Sequence, residues 1–173
     1  MKPLYLLFIS IFFISKSFSY FLKGNWEVSA QISNINYNIT LKDFSFKLSP
    51  GGQYFVSNRV AIGGQLGFIY SSASNILSLG FAPTSKQYLI LNETGGFFLQ
   101  EYIGYFYAKN AAGGSSNALG FGIAPGYSFI LNKHITLDLG IGWSAFYNLT
   151  ASTLTSNNIG LNTGLSIYFG DNK

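Results

Sequence analysis

Apolar and polar residues trade places at every second position over most of this chain. In "ITLDLGIGW", Ile135, Leu137, Leu139, Ile141 and Trp143 alternate with Thr136, Asp138, Gly140 and Gly142. A period of two places the first set on one face of a β-strand and the second on the other. The polar face is nearly empty of bulk, so the large residues look toward an apolar surrounding and the small ones toward a crowded interior. The pattern recurs. Trp26, Val28, Ala30 and Ile32 oppose Glu27, Ser29 and Gln31, and Phe44, Phe46, Leu48 and Pro50 oppose Ser45, Lys47, Ser49 and Gly51. Val60, Ile62, Leu66, Phe68 and Tyr70 oppose Ala61, Gly63, Gln65 and Gly67; Leu119, Phe121, Ile123, Pro125, Tyr127 and Phe129 oppose Gly120, Gly122, Ala124, Gly126 and Ser128. Near the end, Ile159, Leu161, Leu165, Ile167 and Phe169 oppose Gly160, Asn162, Gly164 and Ser166.

Two stretches are less regular. Residues 77–91 place Leu77, Leu79, Phe81 and Pro83 outward, with Ser78, Gly80, Ala82 and Lys86 inward. Residues 96–109 carry apolar side chains on both parities. Putting the charge of Glu101 inside sends Phe98, Tyr102 and Phe106 outward and leaves Tyr105 and Tyr107 inside.

The pattern predicts eight strands, at about 24–34, 40–56, 59–71, 76–90, 96–109, 117–131, 134–148 and 157–169, with boundaries good to a few residues. Three stretches echo one another: "LSPGGQYFVSNRVAIGGQLGFIY", "FAPTSKQYLILNETGGFFLQEYIGYFY" and "IAPGYSFILNKHITLDLGIGWSAFY". Each runs from a proline through an Asn turn (Asn58, Asn92, Asn132) to a strand ending in aromatics, which reads as a hairpin. The remaining connections, at about 33–40, 71–76, 109–117 and 148–157, are longer and rich in Asn, Ser and Thr. Short turns at one end and variable loops at the other suit an outer-membrane barrel. Pro50, Pro83 and Pro125 each remove a ladder donor, and each is expected to mark a bulge or bend.

Composition sharpens this picture. Charged residues make up 9% of the 173, against roughly 25% in an ordinary soluble domain. Aromatics reach 18%, there are 20 glycines, and there is no cysteine, so disulfides and thiolate metal sites are excluded. The opening "MKPLYLLFISIFFISKSFSY" has Lys2, an apolar stretch from Pro3 to Ser15 and a small-x-small site at Ser17–Ser19. That reads as a signal peptide over 1–19, with the mature domain at 20–173. Its apolar run is shorter than the roughly 20 residues of a spanning helix. Its removal lowers the formal charge from +4 to +2, so the basic balance says nothing about nucleic acid, and no nucleic-acid partner is expected.

A sheet in lipid must pair all its backbone groups and therefore close. Eight strands make a barrel whose interior is just filled by side chains. The expected fold class is thus all-β: an eight-stranded antiparallel up-and-down transmembrane β-barrel, monomeric, with termini in the periplasm. Glu27, Lys47, Lys86, Glu101 and Asp138 form a candidate interior charge network, since isolated interior charges need partners. Outward aromatics near strand ends, among them Trp26, Phe68, Tyr70, Tyr127, Trp143, Tyr147 and Phe169, are candidate interface girdles.

At these residues the chain resembles a family. "GNWEVSAQIS", the first hairpin, "LGFGIAPGYSFILNKHITLDLGIGW" and the closing "GLSIYF" are similar to small bacterial outer-membrane β-barrel domains of the OmpX/OmpA-barrel-like group. The resemblance spans about 24–169. It implies outer-membrane location, contact with the lipid bilayer and handling by the barrel-insertion machinery. The insertion signal would be Ile167, Tyr168 and Phe169, although "GDNK" follows where such chains end in the aromatic.

Catalytic chemistry has few carriers. His134 is the single histidine, sits in a predicted turn, and lies about 13 Å along the strand from Asp138. The acids are scattered, so no catalytic residue, metal or cofactor is expected. "GFGIAPG" lies in a strand with no helix after it, so it lacks the mechanism of a phosphate loop. The expected role is structural or in surface interaction through the loops. Two alternatives are a narrow channel for ions or small solutes, and a soluble lipocalin-like barrel with an apolar ligand inside.

Overall fold

The computed structural model describes residues 21–38, 43–72, 76–110 and 114–170; the expected signal peptide lies outside them. Eight strands follow in order: β1 (Trp26–Asn38), β2 (Asp43–Ser57), β3 (Val60–Ser71), β4 (Ile76–Asn92), β5 (Gly95–Asn110), β6 (Ser115–Asn132), β7 (Ile135–Asn148) and β8 (Thr153–Phe169). Each pairs antiparallel with the next, and β8 returns to β1 to close the barrel. Closure runs from Trp26↔Phe169 to Ser33↔Asn162.

At one end, hairpins turn through Asn58-Arg59, Glu93-Thr94 and Lys133-His134. Asparagine serves there because its side-chain oxygen takes up the amides that the turn strands. Asn92 Oδ1 accepts from the amides of Thr94 and Gly95, and Asn132 Oδ1 accepts from that of His134. Arg59 holds a left-handed φ of 73° in the first of these turns. At the other end two strands run several residues farther than the sequence pattern predicts. β1 reaches Asn38 and β8 begins at Thr153, so the connections expected at 33–40 and 148–157 shrink, the latter to the four residues after Asn148. A polar strand on the far side of an apolar band carries no hydrophobic alternation to mark it.

The prolines correct an expectation. None sits at a register shift. The β2–β3 ladder stops at Leu48↔Phe68 and resumes at Gly51↔Gln65 with its register unchanged. Pro83 and Pro125 interrupt β4–β5 and β6–β7 in the same way. A proline lacks one donor but need not add a residue, so the ladder skips rows without a bulge. The shifts in these hairpins lie instead next to the tight turns, at Phe55/Ser57, Tyr88/Ile90 and Ile130/Asn132.

Facing also needs one correction. In β5, Phe98 and Phe106 are buried inside and Tyr102 lines the interior beside Lys47, while Phe97, Glu101, Ile103, Tyr105 and Tyr107 lie outside. Phe106 fits because its neighbours across the barrel wall have no side chains. A Cβ added to Gly67 or Gly120 would come within 2.6–2.7 Å of its ring, and one on Gly80 would collide with it. The other strands keep the alternation: Trp26, Ile62, Leu66, Phe81, Ile123, Leu139, Ile141 and Leu165 are exposed.

Candidate functional site

Three tiers fill the barrel. At the tight-turn end, Phe21 enters from the segment before β1 and is buried among Phe55, Tyr88 and Tyr168. Its ring centroid lies 3.9 Å from that of Tyr88 and 5.5 Å from that of Tyr168. The Arg59 amide donates to the Phe21 carbonyl at 2.7 Å, which ties this segment to the first hairpin turn. Together these rings close the interior from below.

Directly above them lies an ion cluster. Lys86, fully buried, donates from Nζ to Glu27 Oε1 at 2.8 Å and to Asp138 Oδ2 at 2.7 Å. Ser166 Oγ is 2.9 Å from the same two oxygens. Thr136 Oγ1 donates to Asp138 Oδ1 at 3.1 Å. The hydroxyls of Tyr88 and Tyr168 meet at 2.8 Å, and Ser128 Oγ lies 3.2 Å from the first. The Phe98 ring stands 4.8 Å from Lys86 Nζ, so the ammonium also sees an aromatic face. Burying one ammonium between two carboxylates needs good geometry and further hydrogen bonds; hydroxyls reach Glu27 Oε1 and both Asp138 oxygens, while Glu27 Oε2 has no partner among the described residues.

The third tier is a polar cavity of about 30 Å³ bounded by Gln31, Lys47, Ser49, Gln65, Gln100 and Tyr102, with Ser144 and Asn162 opposite. Gln31 Nε2 donates to Gln100 Oε1 at 2.8 Å across it. Lys47 Nζ makes only a long contact of 3.5 Å to the Tyr102 hydroxyl and stands over that ring at 4.5 Å. The Phe106 and Phe146 rings meet edge to face at 5.1 Å beyond it, on the loop side.

The five residues of the candidate network therefore separate. Glu27, Lys86 and Asp138 come together. Lys47 faces the interior in the cavity tier, without a carboxylate partner among the described residues. Glu101 is outside, opposite Ser85 and Ile123 in the ladders. The facing expected for β5 fails because a carboxylate need not seek the interior: Glu101 is exposed. The expected insertion segment also divides: Ile167 and Phe169 face outward, while Tyr168 is buried in the lowest tier. His134 lies exposed in its turn.

Sequence reading did not find Thr136, Ser166, Tyr88 or Phe21. The first three sit at inward parities, but only the register Thr136↔Ser166 shows that two of them share one row. Phe21 precedes the first strand and carries no periodic signal. Among the described residues, no three of His, Asp and Glu gather as a metal would require.

The fold is shared with solved bacterial barrels. The N-terminal β-barrel domain of Pseudomonas aeruginosa OprF superposes with a TM-score of 0.65 at 10% identity, covering 85% of this chain and 98% of that one. Neisserial surface protein A superposes with a TM-score of 0.63 at 15% identity, covering 85% of this chain and 100% of that one. No protein-family model and no curated protein matches the sequence.

Proposed function

We propose that this chain is an integral outer-membrane β-barrel of Gram-negative type, exported by a cleaved signal, inserted as a monomer, and structural rather than catalytic in role. One observation carries the reading. Large apolar residues cover the outside on every strand, while a lysine, two carboxylates and several hydroxyls are sealed inside. A soluble barrel that binds an apolar ligand needs the reverse arrangement. Water would oppose this exterior, whereas hydrocarbon accepts it. The β-barrel domain and the surface protein among the similar folds agree with this setting.

The interior favours a filled wall element over a conduit. Phe21 with its neighbours blocks one end, and Phe106 with Phe146 crosses the other. The connections at the loop end are short, which supports a role in the envelope more than a large adhesive surface. The outward Ile167 and Phe169 at the end of β8 suit contact with the insertion machinery.

The test is gel mobility of residues 20–173 refolded in detergent, with and without boiling, alongside protease challenge in liposomes. A heat-dependent shift and a protected core are expected. A chain that remains soluble without detergent and shows no shift would overturn the membrane reading. Steady conductance in planar bilayers would overturn the filled interior while leaving the barrel intact.

A further inference from the structure

Lys47 stands inside the barrel under conditions that ordinarily require a counter-charge. It is 6% exposed, and the described residues bring no carboxylate within ion-pair reach of it. Glu27 pairs across the ladder with Gln53, six positions along β2 from Lys47, which is about 20 Å of strand. The ammonium has three donors, and among the described residues its one polar contact is the long approach to Tyr102. A cavity of about 30 Å³ lies against it. Ser49, two residues along the same face and 3% exposed, has a hydroxyl with no hydrogen-bond partner and lines this cavity as well. The remaining lining contains amides and hydroxyls from Gln31, Gln65, Gln100 and Ser144, all of which can donate.

We propose that this cavity is a binding site for a small monovalent anion of halide size, held by the Lys47 ammonium and the Ser49 hydroxyl. Three features select that class. The fixed charge is positive and has no carboxylate partner among the described residues, the polar side chains lining the cavity can all donate and none is an acid, and the volume suits two or three water-sized bodies. An anion here supplies the counter-charge that Glu27 and Asp138 supply to Lys86, and it gives the Ser49 hydroxyl an acceptor. The space excludes a polyhydroxy acid such as gluconate.

The experiment compares thermal unfolding of the folded full mature chain in detergent, titrated with sodium chloride or with sodium gluconate at matched ionic strength. An anion bound only by the folded state raises the midpoint in proportion to the logarithm of its concentration above Kd. The expected result is a chloride-specific rise that is absent in Lys47→Met and needs several-fold more chloride in Ser49→Ala. Bromide replacing chloride in a crystal should give an anomalous peak beside Lys47 Nζ. Comparing each variant with its own gluconate titration removes general salt effects. Equal midpoints in the two salts, or a chloride response that survives in Lys47→Met, would overturn the site. If Lys47→Met does not fold, Ser49→Ala and the bromide peak decide the matter, and a crystal with only water-level density at the cavity overturns it.

Discussion

Lys86 on β4 and Lys47 on β2 both face the barrel interior, at different heights, and their surroundings differ in kind. Lys86 is clamped by two carboxylates below 3 Å, which in turn accept from the hydroxyls of Ser166 and Thr136. Lys47 faces amides, hydroxyls and aromatic rings across a cavity. In the ion cluster each charge is fixed by another; the cavity tier leaves a charge with room beside it. The contrast shows that an inward lysine can be a structural rivet or an open donor, and the choice lies with the strands across the barrel rather than with its own.

The sharpest break of this comparison is Lys86→Met. It strands two carboxylates in a dry interior, and unfolding by urea in detergent, followed by tryptophan fluorescence, should lose about 3–5 kcal/mol. Adding Glu27→Gln and Asp138→Asn to Lys86→Met should recover much of that loss, because the triple variant leaves no unpaired charge. Next in size is Gly80→Val at the loop-side seal. Its side chain meets Phe106, and overpacking should lower stability by about 1–3 kcal/mol, read by the same unfolding assay.

Glu101→Leu tests the exterior against both tiers. It replaces the carboxylate placed midway along β5, between the outward Phe97 and Tyr105, and in liposomes should raise stability by about 1 kcal/mol, in keeping with the smaller penalty of acids than of lysines on a lipid face. A loss instead would mean that Glu101 meets a partner on that face. The smallest effect is expected from Lys47→Met in gluconate, within about 1 kcal/mol of the parent, because it removes a buried charge together with its desolvation penalty. A loss as large as that of Lys86→Met would erase the distinction between the two lysines.

Much of this architecture was legible in the residues. Wherever one parity was small or polar, as in Ile135–Trp143, the strand, its facing and its place in an eight-stranded wall could be read directly. The Asn turns and the inward positions of Glu27, Lys86 and Asp138 were legible too. β5 was not, because Phe97, Phe98, Tyr105 and Phe106 put bulk on both faces, and the lone charge used to choose between them faces outward.

What the sequence determined by itself is the local part: period-two alternation, turn positions and the preference of large apolar groups for one side. Those depend on neighbours two residues away, so they survive without knowledge of the fold. The tertiary structure alone decided which charges meet. Glu27, Lys86 and Asp138 come from β1, β4 and β7, and no two of these strands are adjacent in the wall. Their contact depends on the curvature and stagger of the closed sheet. The same holds for Phe106, whose ring fits inside only because glycines from β3, β4 and β6 arrive around it, leaving space that no single strand could reveal.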